Sequence, residues 1–174
     1  MENNKFNYKY PHPAVTADCV LFANSKENKI KVLLIKRKNE PYKDCWALPG
    51  GFMNIDETAE EAAVRELMEE TNIEIIPEQV TLVGVYSNVD RDPRERVISI
   101  GFYATLNNII TAKALDDAED ACWFDLDELP EKLAFDHFDV IDDAIFKMQT
   151  DALIFNLDDK EYIKMYKDTF LSDL

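Results

Sequence analysis

The segment from Thr58 to Thr71 (TAEEAAVRELMEET) constrains this chain more than any other. It predicts one amphipathic helix. The helix opens on a capping box, in which Thr58 takes the backbone N–H of Glu61 and the Glu61 carboxylate reaches back to that of Thr58. At about 100° per residue, Ala63, Val64, Leu67 and Met68 share one arc. The helix must therefore lie on an apolar layer supplied from elsewhere in the chain. Glu66, Glu69 and Glu70 occupy the adjacent arc, at i, i+3 and i+4. Without a counter-ion they repel, at roughly 0.2–0.5 kcal/mol per close pair. Glu69 and Glu70 also stand in the last turn, where the helix dipole disfavours anions. A bound divalent cation would reverse the sign of both effects. Taken alone, such a triplet is more simply a solvated acidic face.

The surroundings shift that balance. The chain has 4 glycines, and two of them, Gly50 and Gly51, are adjacent in the loop before the helix. Glycines there let the backbone approach a ligand closely. Glu57 precedes the helix, where its charge suits the positive end of the dipole. Arg65 lies four residues after Glu61 and four before Glu69, placed to orient carboxylates. Gly51, five residues, Glu57, seven residues and then Arg65-Glu66-Leu67-x-Glu69-Glu70-x-x-Ile73 resemble the Nudix box, the loop–helix–loop motif of the Nudix hydrolases. Trp46-Ala47-Leu48-Pro49-Gly50 resembles the usual lead-in to that box. The resemblance runs from about Pro13 to about Pro130. One position departs: Asn72 stands where the family usually has glycine. A residue just past a helix end often needs φ > 0, and asparagine tolerates that best after glycine, so the turn is expected to survive.

The resemblance implies a chemistry. Water attacks a phosphorus of a nucleoside diphosphate joined to a second group, with the help of Mg²⁺ or Mn²⁺. By position, it implies that Glu66, Glu69, Glu70 and the Gly50 carbonyl hold metal, that Arg65 orients the carboxylates, and that Glu57 assists at longer range. Oxygen-only donors suit such hard cations. Glu69 is the first choice for general base. Glu119 and Asp120 are later-loop alternatives, and an exposed acidic turn explains those two equally well. Tyr86 to Arg94 (YSNVDRDPR) resembles the loop that follows the box in ADP-ribose pyrophosphatases and in related Nudix regulators of nicotinamide metabolism. Arg91 and Arg94 there can clamp phosphate or ribose bidentately, or pair with nearby aspartates in a charged hairpin loop. Arg37 and Lys38 are further phosphate candidates. Trp46 and Tyr86 can stack on a base or pack in the core. ADP-ribose or a related ADP-sugar is the expected substrate. The alternatives are a sanitising nucleoside-triphosphate pyrophosphohydrolase, and a non-catalytic ligand sensor or transcription regulator on the same scaffold.

On either side of the helix the pattern is strand-like. Ala14–Phe22 and Ile30–Ile35 read as a hairpin, Thr81–Val89 and Val97–Leu106 as two strands around a charged loop, and Ala121–Asp125 as a short strand. Asp136–Ala152 and Asp158–Leu171 read as helices. The class is α+β, and the resemblance implies an α/β/α sandwich around a mixed sheet. Residues 1–12 are expected to be an arm, 13–135 the main domain, and 136–174 a helical extension packed on it. Phe138, Ile141, Ala144, Ile145 and Met148 recur at helical spacing and suit a core or a dimer face. Dimers are common in the ADP-ribose branch, so the resemblance implies a homodimer. His12 and His137 are too few for a histidine metal site and are expected on the surface or in loops.

A formal net charge of −16 argues against a nucleic-acid polymer as partner. A phosphorylated small molecule bridged by cations is compatible with it. Cys19, Cys45 and Cys122 are widely spaced, without a C-x-x-C pair, which suits neither a disulfide framework nor a zinc site. Reduced thiols, a polar N-terminus and no apolar run of about 20 residues lead to the expectation of a cytoplasmic protein with no membrane partner.

Overall fold

The structure, a computed structural model, describes residues 6, 8–27, 29–115 and 118–155. Its centre is β1 (Ala14–Asn24), buried from Thr16 to Ala23. Successive side chains alternate between two cores. Ala17, Cys19 and Leu21 pack with Ala62, Ala63 and Leu67 of α1 (Ala59–Thr71). Val20 and Phe22 pack with Val140, Ile141 and Ala144 of α2 (His137–Phe155). Burial on both faces is why β1 reads as a continuous apolar run rather than an alternating one. One helix on each face of the sheet gives the expected α/β/α sandwich.

The strands β2 (Ile30–Arg37), β3 (Trp46–Ala47), β4 (Gly50–Phe52), β5 (Thr81–Tyr86), β6 (Val97–Leu106) and β7 (Ala118–Asp125) complete a seven-stranded mixed sheet. On one edge β1 runs parallel to β6 from Ala14↔Val97 to Ala23↔Leu106, and β5 closes that side antiparallel to β6. The other edge of β1 is shared. Thr16–Asp18 pair with β4, and Phe22–Asn24 pair with the start of β2. Beyond that point β2 swings away, taking β3 at Ile35 and Lys36 and β7 along its far edge. The Leu48-Pro49 step between β3 and β4 lies where the two halves of the sheet diverge, anchored by the Cys19 N–H on the Pro49 carbonyl at 2.9 Å. That divergence makes room for the site.

The helix ends follow the local chemistry. Thr58 Oγ1 accepts the Glu61 N–H at 3.2 Å and Glu61 Oε2 accepts the Thr58 N–H at 2.7 Å. Asn72 adopts φ 56°, ψ 28°, with its N–H on the Met68 carbonyl at 2.9 Å. The one departure from the box is thus absorbed by a residue tolerant of the left-handed region.

Of the boundaries that differ from the sequence expectation, three bear on the sheet around the site. β7 begins at Ala118, ahead of Ala121, because it continues pairing with β2 as far as Arg37. β5 stops at Tyr86 instead of Val89, where the charged loop leaves the sheet. β2 continues past Ile35 to Arg37, which brings that arginine to the site. The helix expected at Asp158–Leu171 lies outside the described residues. Among the described residues no helix is long and apolar enough to cross a membrane.

Candidate active site

A cavity of about 340 Å³ opens where β1 and β2 diverge. The carboxylates of Asp18, Glu66 and Glu70 reach it from β1 and α1. Arg37, Arg91 and Arg94 reach it from the end of β2 and the β5–β6 loop.

The two box glycines serve different contacts. A Cβ on Gly51 would stand 2.6 Å from the Glu66 carboxyl group. One on Gly50 would stand 2.6 Å from the Ala17 carbonyl and 2.8 Å from the Asp18 Cα, both backbone of β1. Glycine is therefore needed at 50 so that β4 can lie against β1, and at 51 to leave room for a carboxylate.

Arg65 organises the acidic side. Its Nε and Nη2 donate to the two oxygens of Glu57 at 2.9 and 2.6 Å. Its Nη1 donates to Glu66 at 2.7 Å and to Glu69 at 3.0 Å, and Nη2 also reaches the Phe52 carbonyl at 3.1 Å. One guanidinium thus holds three carboxylates and the strand that carries the glycines. Its hydrogen bonds hold the Glu57 carboxyl down at about 2 against the opposing effect of burial. Glu70 is treated differently. Its side chain is buried, and one oxygen accepts the Gly50 N–H at 3.0 Å. Burial, reinforced by the charges of Glu66 and Asp18, pushes its carboxyl up to about 8. Burial also raises Glu66, with Arg65 pulling the other way.

Asp18 and His137 belong to the same site, and sequence reasoning missed both. Asp18 accepts the Ser99 hydroxyl hydrogen bond inside the sheet. The signal for it was a lone charge in the middle of AVTADCVLF, a costly thing to bury without purpose. His137, expected on the surface or in a loop, is 4 % exposed and stands at the start of α2. Its Nδ1 accepts the Leu48 N–H at 2.8 Å, so the ring proton resides on Nε2, 4.0 Å from Asp18. Burial depresses its pKa and keeps it neutral. His137 thereby fastens α2 to the strand leading into the glycines.

The expected substrate residues separate into two groups. Arg37, Arg91 and Arg94 line the cavity. Arg91 is pinned by Asp136, with Nε to Oδ2 at 2.9 Å, and its side chain is 4 % exposed. Arg94 forms the i,i+2 pair with Asp92, at 3.0 and 2.7 Å. Arg37 Nε donates to the Pro41 carbonyl at 2.8 Å. Lys38 also lines the cavity. Trp46 and Tyr86 do not. Trp46 packs edge-on against Phe124 at 4.8 Å, and Tyr86 donates its hydroxyl to Asp143 at 2.9 Å, because both side chains point into the core under α2. Glu69 does not line the cavity: its side chain is 46 % exposed and is held by Arg65. Neither later-loop base candidate lines the cavity: Glu119 pairs with Lys36 at 3.4 Å, and Asp120 accepts the Ala121 N–H at 2.8 Å.

Among the described residues no three histidine, cysteine or carboxylate groups converge as a ready metal cage. The chemistry of the donors nonetheless fits a hard cation. They are all oxygen, one is a buried carboxylate whose pKa is raised by burial and then by its carboxylate neighbours, and none competes as a soft ligand.

The raised Glu70 pKa has a consequence for stability. A carboxylate with an ordinary value near 4.5 unfolded and about 8 folded binds its proton more tightly in the native state. Its contribution is complete below the unfolded value and is lost as pH rises through the folded one. In EDTA the melting temperature of the wild type is therefore expected to fall between pH 5 and 8 relative to Glu70→Gln, which cannot titrate. The opposing effect of buried His137 is common to both proteins and cancels in the difference. Parallel melting curves across that range would contradict the assignment.

Known proteins resemble this chain in sequence and in fold. Residues 12–144 match the NUDIX domain. The chain is 54 % identical over 136 residues to an ADP-ribose pyrophosphatase of Methanocaldococcus jannaschii, covering 77 % of this chain and 74 % of that protein. It is 34 % identical over 143 residues to the ADPR responsive transcriptional repressor NtrR of Acinetobacter baylyi, covering 80 % of this chain and 56 % of the repressor. It thus spans little more than half of that repressor's length. The NUDIX domain of Shewanella oneidensis NrtR, solved with ADP ribose, superimposes with a TM-score of 0.73 at 30 % identity, over 83 % of this chain and 94 % of that one.

Proposed function

This chain belongs to the NUDIX domain family, and from that premise we propose that it is a hydrolase cleaving the diphosphate linkage of ADP-ribose or a related ADP-sugar. The observation that carries the reading is the polarity of the cavity. Asp18, Glu66 and Glu70 meet Arg37, Arg91 and Arg94 across one space. Carboxylates alone would repel a diphosphate, and arginines alone would bind it without activating water. Opposed, they suit a diphosphate that contacts cations on one flank and guanidinium groups on the other. The name of the M. jannaschii relative and the ligand of the S. oneidensis domain support ADP-ribose as the substrate.

Glu66, Glu69, Glu70 and the Gly50 carbonyl would hold Mg²⁺ or Mn²⁺, which neutralises diphosphate charge and lowers the pKa of bound water. The protein's own residues do the rest. Arg65 keeps Glu57, Glu66 and Glu69 oriented, as partners of metal-binding carboxylates do. Glu69, exposed and held by Arg65, takes the proton of the attacking water. Arg91, fixed by Asp136, and Arg94, fixed by Asp92, present guanidinium groups to the phosphates with little ordering left to do at binding. In this reading the protein acts in the cytoplasm as a homodimer, on a small molecule and not on a nucleic-acid polymer.

Hydrolysis of a panel tests this: ADP-ribose, NADH, a dinucleoside polyphosphate and oxidised dGTP, each with Mg²⁺ and with EDTA. ADP-ribose is expected to yield AMP and ribose 5-phosphate with metal and nothing in EDTA. Preference for oxidised dGTP would move the protein to the nucleotide-sanitising class. No turnover of any member would end the enzyme reading and leave a ligand sensor. Millimolar Mg²⁺ is also expected to raise the melting temperature by relieving carboxylate repulsion.

A further inference from the structure

Phe135 was not a candidate from the sequence, and it is the most unusual residue at the cavity. Its backbone is left-handed, φ 52°, a region bulky L residues rarely adopt. Two cations stand over its ring. The Arg37 guanidinium carbon is 5.1 Å from the ring centroid and that of Arg94 is 5.7 Å. Arg94 also lies 5.1 Å from the Phe52 ring, so it stands over two aromatics. The Tyr42 ring, on a second left-handed residue with φ 63°, meets Phe135 at 4.7 Å.

Two guanidinium groups gathered on one ring repel each other. Asp92 takes Nε and Nη2 of Arg94 and leaves Nη1 without a partner among the described residues. Arg37 lines the same cavity as Glu70. Unusual backbone that gathers like charges at the wall of a cavity has a use when an anion arrives between them. We propose that Phe135 is the positioning residue of the phosphate-gripping wall. Its ring seats Arg37 and Arg94 so that both donate to the diphosphate oxygens facing away from the carboxylates. This rests on the diphosphate-hydrolase reading above. It adds a determinant of substrate affinity that lies in neither the box nor the β5–β6 loop.

The test compares Phe135→Leu, which keeps apolar volume and the same backbone demand but loses the π face, with Phe135→Tyr, which keeps the face. Arg94→Lys, which keeps the charge and loses the planar stack, serves as a variant that leaves Phe135 in place. With ADP-ribose and Mg²⁺, Phe135→Leu is expected to raise KM about tenfold with kcat changed little, and Phe135→Tyr to restore it. Arg94→Lys should also raise KM. Calorimetric titration with inorganic diphosphate in EDTA should show the same loss and the same rescue without turnover. If the wild type hydrolyses ADP-ribose and the leucine variant matches it in KM and in diphosphate affinity, the inference falls and the function stands. If the wild type hydrolyses nothing, the diphosphate titration alone decides. Weakening by leucine and recovery by tyrosine supports the wall, and equal affinity in all variants overturns it. A parallel fall in melting temperature and kcat, with KM unmoved, would assign Phe135 to folding and also overturn it.

Discussion

Replacing Glu66 by glutamine is expected to lower kcat for ADP-ribose by about 10²–10³-fold while leaving the fold intact. The argument is electrostatic. A bound cation supplies several kcal/mol of charge stabilisation in the transition state, and each factor of ten costs about 1.4 kcal/mol. Glu66 is the one box glutamate that lines the cavity, packs against Gly51 and is held by Arg65 at the same time. Glutamine keeps its volume beside Gly51 but removes the charge a cation needs. The Arg65 guanidinium keeps Glu57 and Glu69, so the local scaffold survives. Steady-state kinetics together with a melting curve check it. A rate within a few-fold of wild type would remove Glu66 from the metal-holding set.

The second large effect concerns the glycine pair, and the two members should fail differently. Gly50→Ala places a Cβ against the Ala17 carbonyl and the Asp18 Cα, backbone atoms of the most buried strand. Neither can rotate away, so β4 must lift from β1. The expected cost is about 1–3 kcal/mol, or more if the strand cannot relax. For a chain of this size that is roughly a 3–10 °C fall in melting temperature. Gly51→Ala places its Cβ against the end of the Glu66 side chain, which can turn aside. Its melting temperature should stay close to wild type while activity falls, because the carboxylate has moved. Thermal denaturation and ADP-ribose hydrolysis measured on both variants separate the two. Equal losses of stability would mean that Glu66 cannot move, and would place Gly51 in the structural class with Gly50.

Much of the site was legible because it is local. The capping box, the arc of glutamates, the αL residue after the helix and the contact of Arg65 with Glu69 all lie within a few helical turns. Such contacts follow from the 3.6-residue period and from the chemistry of helix ends. The substrate loop was partly legible. Its aspartate–arginine pair at i,i+2 exists, and so does an arginine facing the cavity, and both descriptions meet in Arg94. Trp46 and Tyr86 show the limit of residue type as a guide. Each is an amphipathic aromatic that stacks on a base or fills a core equally well by composition, and the register of β3 and β5 under α2 turned them inward.

Taken by itself, the amino-acid sequence determined the helix, its caps, the carboxylate arc and the glycine pair, whose resemblance to the Nudix box implied the class of reaction. Short-range geometry decides all of these before the chain is compact. Only the tertiary structure decided what stands opposite the helix. Asp18 from β1, Arg91 and Arg94 from the β5–β6 loop and Phe135 and His137 from the start of α2 are far apart along the chain and meet in one cavity. What joins them is the two-sided burial of β1 and the divergence of β2 from it. Both arise from the packing of whole layers, which no local periodicity encodes. The box on that helix therefore carried the resemblance that implied the chemistry, while the wall that faces it had to wait for the fold.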